Sequence, residues 1–98
     1  MSVEVTIRHM VLSESLQLYA QEKADKLREK FPSIEFIRVV LDKDGPNCVA
    51  ALSIQGGQRT SVESTDKHTE VMTAINAAFD KAEAQLRKNS QRRQDIRS

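Results

Sequence analysis

The feature that most restricts the fold of this chain is a change of hydrophobic period, from two to helical and back to two, within its first 41 residues. Val3, Val5 and Ile7 alternate with Glu4, Thr6 and Arg8, so residues 3–9 read as a half-buried strand. Leu16, Ala20, Ala24, Leu27 and Phe31 then recur at helical spacing. Ser13 is placed to cap that helix and Glu14 sits in its first turn, where the helix dipole favours a carboxylate. Pro32 stops it, because the residue before a proline is pushed out of the helical region. Ile37, Val39 and Leu41 restore the alternation. Two strands joined through a helix have to run parallel, with a right-handed crossover.

The rest of the chain reads as hairpins and a final helix. Gly45 and Pro46 punctuate a turn, and NCVAALSIQ follows as a strand with Cys48, Ala50, Leu52 and Ile54 inward. Gly56-Gly57 predicts a two-residue hairpin with positive φ, leading into a polar edge strand over residues 58–65. A second helix is expected from about Thr69 to about Asn89, capped by Asp66 or Thr69. Its apolar set is Val71, Met72, Ile75, Ala78, Phe79, Ala82 and Leu86. The predicted architecture is α+β, a two-layer β-α-β-β-β-α domain with a four-stranded mixed sheet and both helices on one face. Residues 1–90 would form the domain and residues 91–98 a basic, flexible tail.

Length and composition agree with one domain. The 98 residues are 39% hydrophobic and 30% charged, enough for one core and too apolar for a disordered chain. The longest apolar run, Cys48 to Leu52, is far short of a membrane span or a signal-peptide core. A cytoplasmic location is the expectation, and the lone cysteine suits a reducing compartment.

The net charge of +1 conceals an uneven distribution. From Lys81 onward there are six basic residues against two acidic ones, a net +4, whereas the first 80 residues hold nine against twelve, a net −3. On helical wheels Lys23, Lys26 and Lys30 share one flank of the first apolar stripe, with Tyr19 among them. Lys81 and Lys88 flank the second stripe, and Arg92 follows them if the helix continues. Any single lysine in such a place is ordinarily a solvated, snorkelling side chain. Two coincident stripes beside a basic terminus point instead to a polyanion held through phosphates. If the two lysine flanks face each other, they make one cationic cleft; periodicity leaves their mutual orientation open.

Signals for catalysis are missing. There is no Gly-x4-Gly-Lys or Gly-x-Gly-x-x-Gly loop to cradle a nucleotide. His9 and His68 lack metal-ligand spacing, and Cys48 reads as a small buried hydrophobe. The chain is therefore read as a non-enzyme without cofactor, metal or small-molecule substrate.

Taken together, the segments VTIRHMVLSESL, AQEKADKLREKF, IRVVLD and above all TAINAAFDKAEAQLRK resemble the ribosome hibernation-promoting factor / ribosome-associated inhibitor A (Y protein) family, over about residues 3–90. The last segment matches that family's pattern at Ala74, Ile75, Asp80, Lys81, Gln85, Leu86 and Lys88. Met72 stands where an aromatic residue is common, and Ala84 where a basic one is often found. The basic tail and short length fit the short, hibernation-promoting type. The resemblance implies the same β-α-β-β-β-α fold. It also implies binding to the small ribosomal subunit near the decoding centre, where mRNA and tRNA sites are blocked and translation is silenced under stress. The implied rRNA contacts are Lys23, Lys26, Lys30, Lys81, Arg87 and Lys88, joined by Arg92 from the basic terminus. The partners are then the small subunit and its rRNA, with no membrane, and the isolated chain is expected to be monomeric. Two other readings compete, a generic double-stranded RNA-binding module and a small protein-interaction domain that adds a partner strand at 58–65.

Overall fold

The computed structural model describes residues 2–10, 13–57 and 60–97, with backbone alone for Ser2 and for residues 89–97. The order is β1 (Ser2–Ile7), α1 (Glu14–Lys30), β2 (Ile34–Asp44), β3 (Asn47–Gly56), β4 (Ser61–His68) and α2 (Val71–Arg97). The sheet has the spatial order β1-β2-β3-β4, with β1 parallel to β2 and the other pairs antiparallel. This is the α+β architecture expected from the periodicities.

One face of the sheet supplies the core. Ile37, Val39 and Leu41 of β2, Ala50, Leu52 and Ile54 of β3 and Val62 of β4 are buried. Both helices lie on that face, α1 beside β1 and β2 and α2 beside β3 and β4. Helix α1 buries Leu16, Ala20, Ala24 and Leu27; α2 buries Ala74, Ile75, Ala78, Phe79, Ala82 and Leu86. The alanines let both helices sit close to the strands, and the larger side chains fill the space between. Ser64, the polar exception on the inner face of β4, donates its hydroxyl to the Ala78 carbonyl at 2.8 Å. That contact bonds strand to helix where an unpaired hydroxyl would be costly.

Local signals hold at the first helix. The Ser13 hydroxyl accepts from the Leu16 N–H at 3.3 Å, and the helix closes at Phe31, immediately before Pro32. Strand β1 ends two residues earlier than its alternation suggests. Arg8 still bonds the Leu41 carbonyl, but His9 enters the left-handed region at φ 56 and its ring meets Asp42 at 2.7 Å. At the β2–β3 turn Asp44 pairs with Asn47, leaving Gly45-Pro46 as a two-residue loop. Gly45 has φ +62, the conformation that L side chains avoid.

Several expectations need correction. Gln55 pairs with Ser61, so the β3–β4 connection is a five-residue loop in place of a two-residue Gly56-Gly57 turn. Gly56 is required there for a different reason, because a Cβ would collide with the Ser33 carbonyl. The edge strand is Ser61–His68, not 58–65, and Gln58 and Arg59 lie outside the described residues. Asp66 sits on β4, and Thr69 offers its carbonyl to the Cys48 thiol. The Glu70 N–H, just ahead of α2, is met by His68 Nδ1 at 3.1 Å. Met72 is 43% exposed and outside the core, while Ala74, absent from the expected apolar set, is fully buried. Helix α2 continues to Arg97, past the predicted end near Asn89. Among the described residues no helix is long and apolar enough to cross a membrane.

Candidate functional site

A groove of about 300 Å³ runs between the helices on the side away from the sheet. Leu27 and Phe79 form its apolar floor. Lys23, Lys26 and Lys30 line it from α1, so the predicted basic flank of that helix does face its neighbour. The Lys23 ammonium lies 5.9 Å from the centre of the Phe79 ring, within cation–π range. The Tyr19 hydroxyl donates to Asn76 Oδ1 at 2.6 Å and ties the helices together beside the groove.

The α2 wall differs from the single cationic cleft. It carries Asp80 and Glu83, and Glu29 joins from α1, so three lysines meet three carboxylates. Lys81 points the other way, toward the sheet edge, where its ammonium lies 2.9 Å from Asp66 and 3.4 Å from the Thr65 carbonyl. Lys88, two turns further on, shares that flank and is exposed. The cause is the rotation of α2 about its axis. Burial of Ala74, Ala78 and Ala82 turns Lys81 to the β4 side and Asn76, Glu83 and Arg87 to the α1 side. The cations of the two helices diverge. They form two patches, one in the groove and one beside β4.

Arg87 belongs to the groove side, where its guanidinium donates to Glu83 at 2.6 and 3.2 Å. Lys30 reaches the same carboxylate at 3.4 Å from the opposite helix. Among the described residues Lys23, Lys26 and Lys88 make no ion pair. The side chain of Arg92 lies outside the described residues, although its backbone continues α2. Helical spacing alone puts Asp80, Glu83 and Arg87 on one stripe, on the flank opposite Lys81.

A second feature had no sequence signal. The Gly56 N–H donates to the Thr60 carbonyl, which sets the alternation of the β3–β4 ladder. Residues 60, 62 and 64 then face β3, and the carbonyls of Glu63 and Thr65 face the free edge. Gln85 Nε2 reaches the Glu63 carbonyl at 3.3 Å, as Lys81 reaches that of Thr65. Side chains of α2 thus cap two carbonyls of the edge that the protein-interaction reading needed open.

Glu83 and Asp66 on this surface, and Asp42 beside His9, are tuned by their partners. Hydrogen bonds from Arg87 and Lys30 outweigh desolvation and hold Glu83 below its ordinary value of 4.5. Lys81 does the same for Asp66, and His9 for Asp42, below 3.8. A carboxylate depressed in the folded state contributes stability above its unfolded pKa and loses it as the pH falls through the folded value. The urea midpoint is therefore expected to fall once the pH drops below 4.5. Asp66→Asn should flatten part of that decline, and an identical acid profile in wild type and variant would contradict the assignment.

Among the described residues no three His, Cys, Asp or Glu side chains gather as a metal site. What the helix layer offers is a set of exposed amines, some paired and some not. Against known proteins, residues 3–94 match the family model described as Sigma 54 modulation protein / S30EA ribosomal protein. The chain belongs to this family. A curated relative from Pseudomonas putida, named ribosome hibernation promoting factor, is 28% identical over 98 residues, covering 98% of this chain and 93% of the relative. Among solved structures, a ribosomal subunit interface protein from Coxiella burnetii superimposes with a TM-score of 0.83 at 13% identity, covering 93% of this chain and 99% of that one. The N-terminal domain of Protein Y from Thermus thermophilus gives 0.78 at 20% identity, with 90% and 98% coverage. These two show the fold that this chain shares with them.

Proposed function

We propose that this chain is a ribosome hibernation factor: its helix layer binds small-subunit rRNA near the decoding centre, blocks the mRNA and tRNA sites and silences translation under stress. One observation carries the reading furthest. In a member of a family whose curated relative bears the hibernation name, Lys26 and Lys88 stand exposed and Lys23 half-buried, all three without a carboxylate partner among the described residues. Amines of this kind gain most from a phosphate backbone, because binding releases the condensed counterions of the RNA. Lys30, Lys81 and Arg87 contribute after giving up internal partners, and Arg92 extends the basic terminus. No chemistry is required of the protein, since occupying the channel suffices. The partner places the chain in the cytoplasm, and residues 1–90 act as the binding unit ahead of the basic terminal stretch.

The test is sedimentation with purified small subunits over a range of salt. The protein should pellet with subunits at low salt, lose affinity with a log–log slope of roughly 0.7–0.9 per phosphate contacted, and prevent tRNA from binding. A preference for free RNA duplex over subunits would support the generic module instead. Protein remaining at the top of the gradient at low salt would refute the proposal.

A further inference from the structure

The arrangement around Glu83 has the composition of an occupied anion site. One carboxylate oxygen receives both donors of the Arg87 fork, at 2.6 and 3.2 Å, and the other faces the Lys30 ammonium at 3.4 Å. The two cations come from different helices, and this carboxylate joins them. A guanidinium fork and an ammonium converging on one pair of oxygens is also the donor set that a phosphodiester accepts. The site is open enough for exchange, with the Glu83 side chain 25% exposed and those of Lys30 and Arg87 more than half exposed. Asp80 lines the same groove without an ion pair among the described residues.

We propose that Glu83 is an internal stand-in for phosphate, holding Lys30 and Arg87 together until an RNA phosphodiester displaces it. This rests on the helix layer being the RNA-binding face, and it adds a selectivity device to that face. A polyanion gains nothing from Lys30 and Arg87 unless its own phosphate replaces the carboxylate. Flexible or poorly fitting RNA then meets a groove whose charges already cancel. An RNA surface of fixed shape, held also by Lys23, Lys26 and Lys88, delivers a phosphate to the right point. The carboxylate thereby acts against the wrong partners more than against the right one.

The experiment compares wild type, Glu83→Gln and Asp80→Asn for binding to purified small subunits and to a generic RNA duplex across a salt series. Glu83→Gln preserves size and removes the competing charge. It should tighten duplex binding by about threefold to tenfold, the scale of releasing two partly exposed ion pairs. Subunit binding should tighten less, and the duplex salt slope should steepen by about 1 to 2. Asp80→Asn should give a smaller gain, because Asp80 holds neither cation. In a Lys30→Gln/Arg87→Gln background the Glu83→Gln gain should vanish, as coupled groups require. Unchanged or weaker binding by Glu83→Gln would overturn the stand-in role and leave the helix-layer reading intact. Wild type and variant both failing to bind subunits would overturn both.

Discussion

Phe79→Ala is expected to lower the free energy of unfolding by about 3–5 kcal/mol, the usual loss for a buried phenylalanine truncated in place. The ring is 4% exposed, packs in the main cluster and also floors the groove. Its neighbours on the same stripe, Ala78 and Ala82, are too small to close the void. A domain of this size typically has about 5–15 kcal/mol in total, so the variant should show a large drop in urea midpoint at unchanged slope. Phe79→Leu separates the two roles of the ring. It keeps most of the burial while removing the π face under Lys23, so most of the stability should return. A loss below about 1 kcal/mol in the alanine variant would show that the ring is not part of the core.

The second large effect is on binding. Replacing Lys23, Lys26 and Lys30 together by glutamine should reduce the log–log salt slope for small subunits by about 2 to 3. Extrapolated from 1 M salt, this removes on the order of a hundredfold to a thousandfold in affinity at 0.1 M. Lys81→Gln with Lys88→Gln should remove less, because Lys81 is already paired with Asp66 and the Thr65 carbonyl. Since the patches lie on opposite flanks without shared partners, the two sets of losses should add. A single cleft would instead make them strongly non-additive. Gradient sedimentation of wild type, the triple, the double and the combined variant at several salt concentrations reads both outcomes, and a triple variant that pellets like wild type would remove α1 from the interface.

Much of the fold was legible locally. Alternation at Val3, Val5 and Ile7 and at Ile37, Val39 and Leu41 marks residues that do face the core or pack against it. Ser13 and Pro32 bracket α1 as their cap and backbone chemistry requires. Met72 lies outside the core because the apolar arc of a helix is wider than the strip that its sheet covers. The Gly56-Gly57 pair looked like a positive-φ turn, but Gly56 is needed for a close approach to Ser33, 23 residues earlier in the chain. No local pattern reports such a contact. The candidate site divides in the same way. That Lys23, Lys26 and Lys30 share a flank, and Lys81 and Lys88 another, follows from helical spacing alone.

By itself, then, the sequence determined the order of the elements, the inward side chains and the cations available on each helix, because each depends on a period read within one segment. Tertiary structure decided which flank of α2 meets α1, and with it that Glu83 and Asp80 enter the groove while Lys81 turns to the β4 edge. A buried stripe sets how a helix rolls toward its sheet. Which neighbour lies to its left or right depends on chain direction and on pairings between strands distant in sequence.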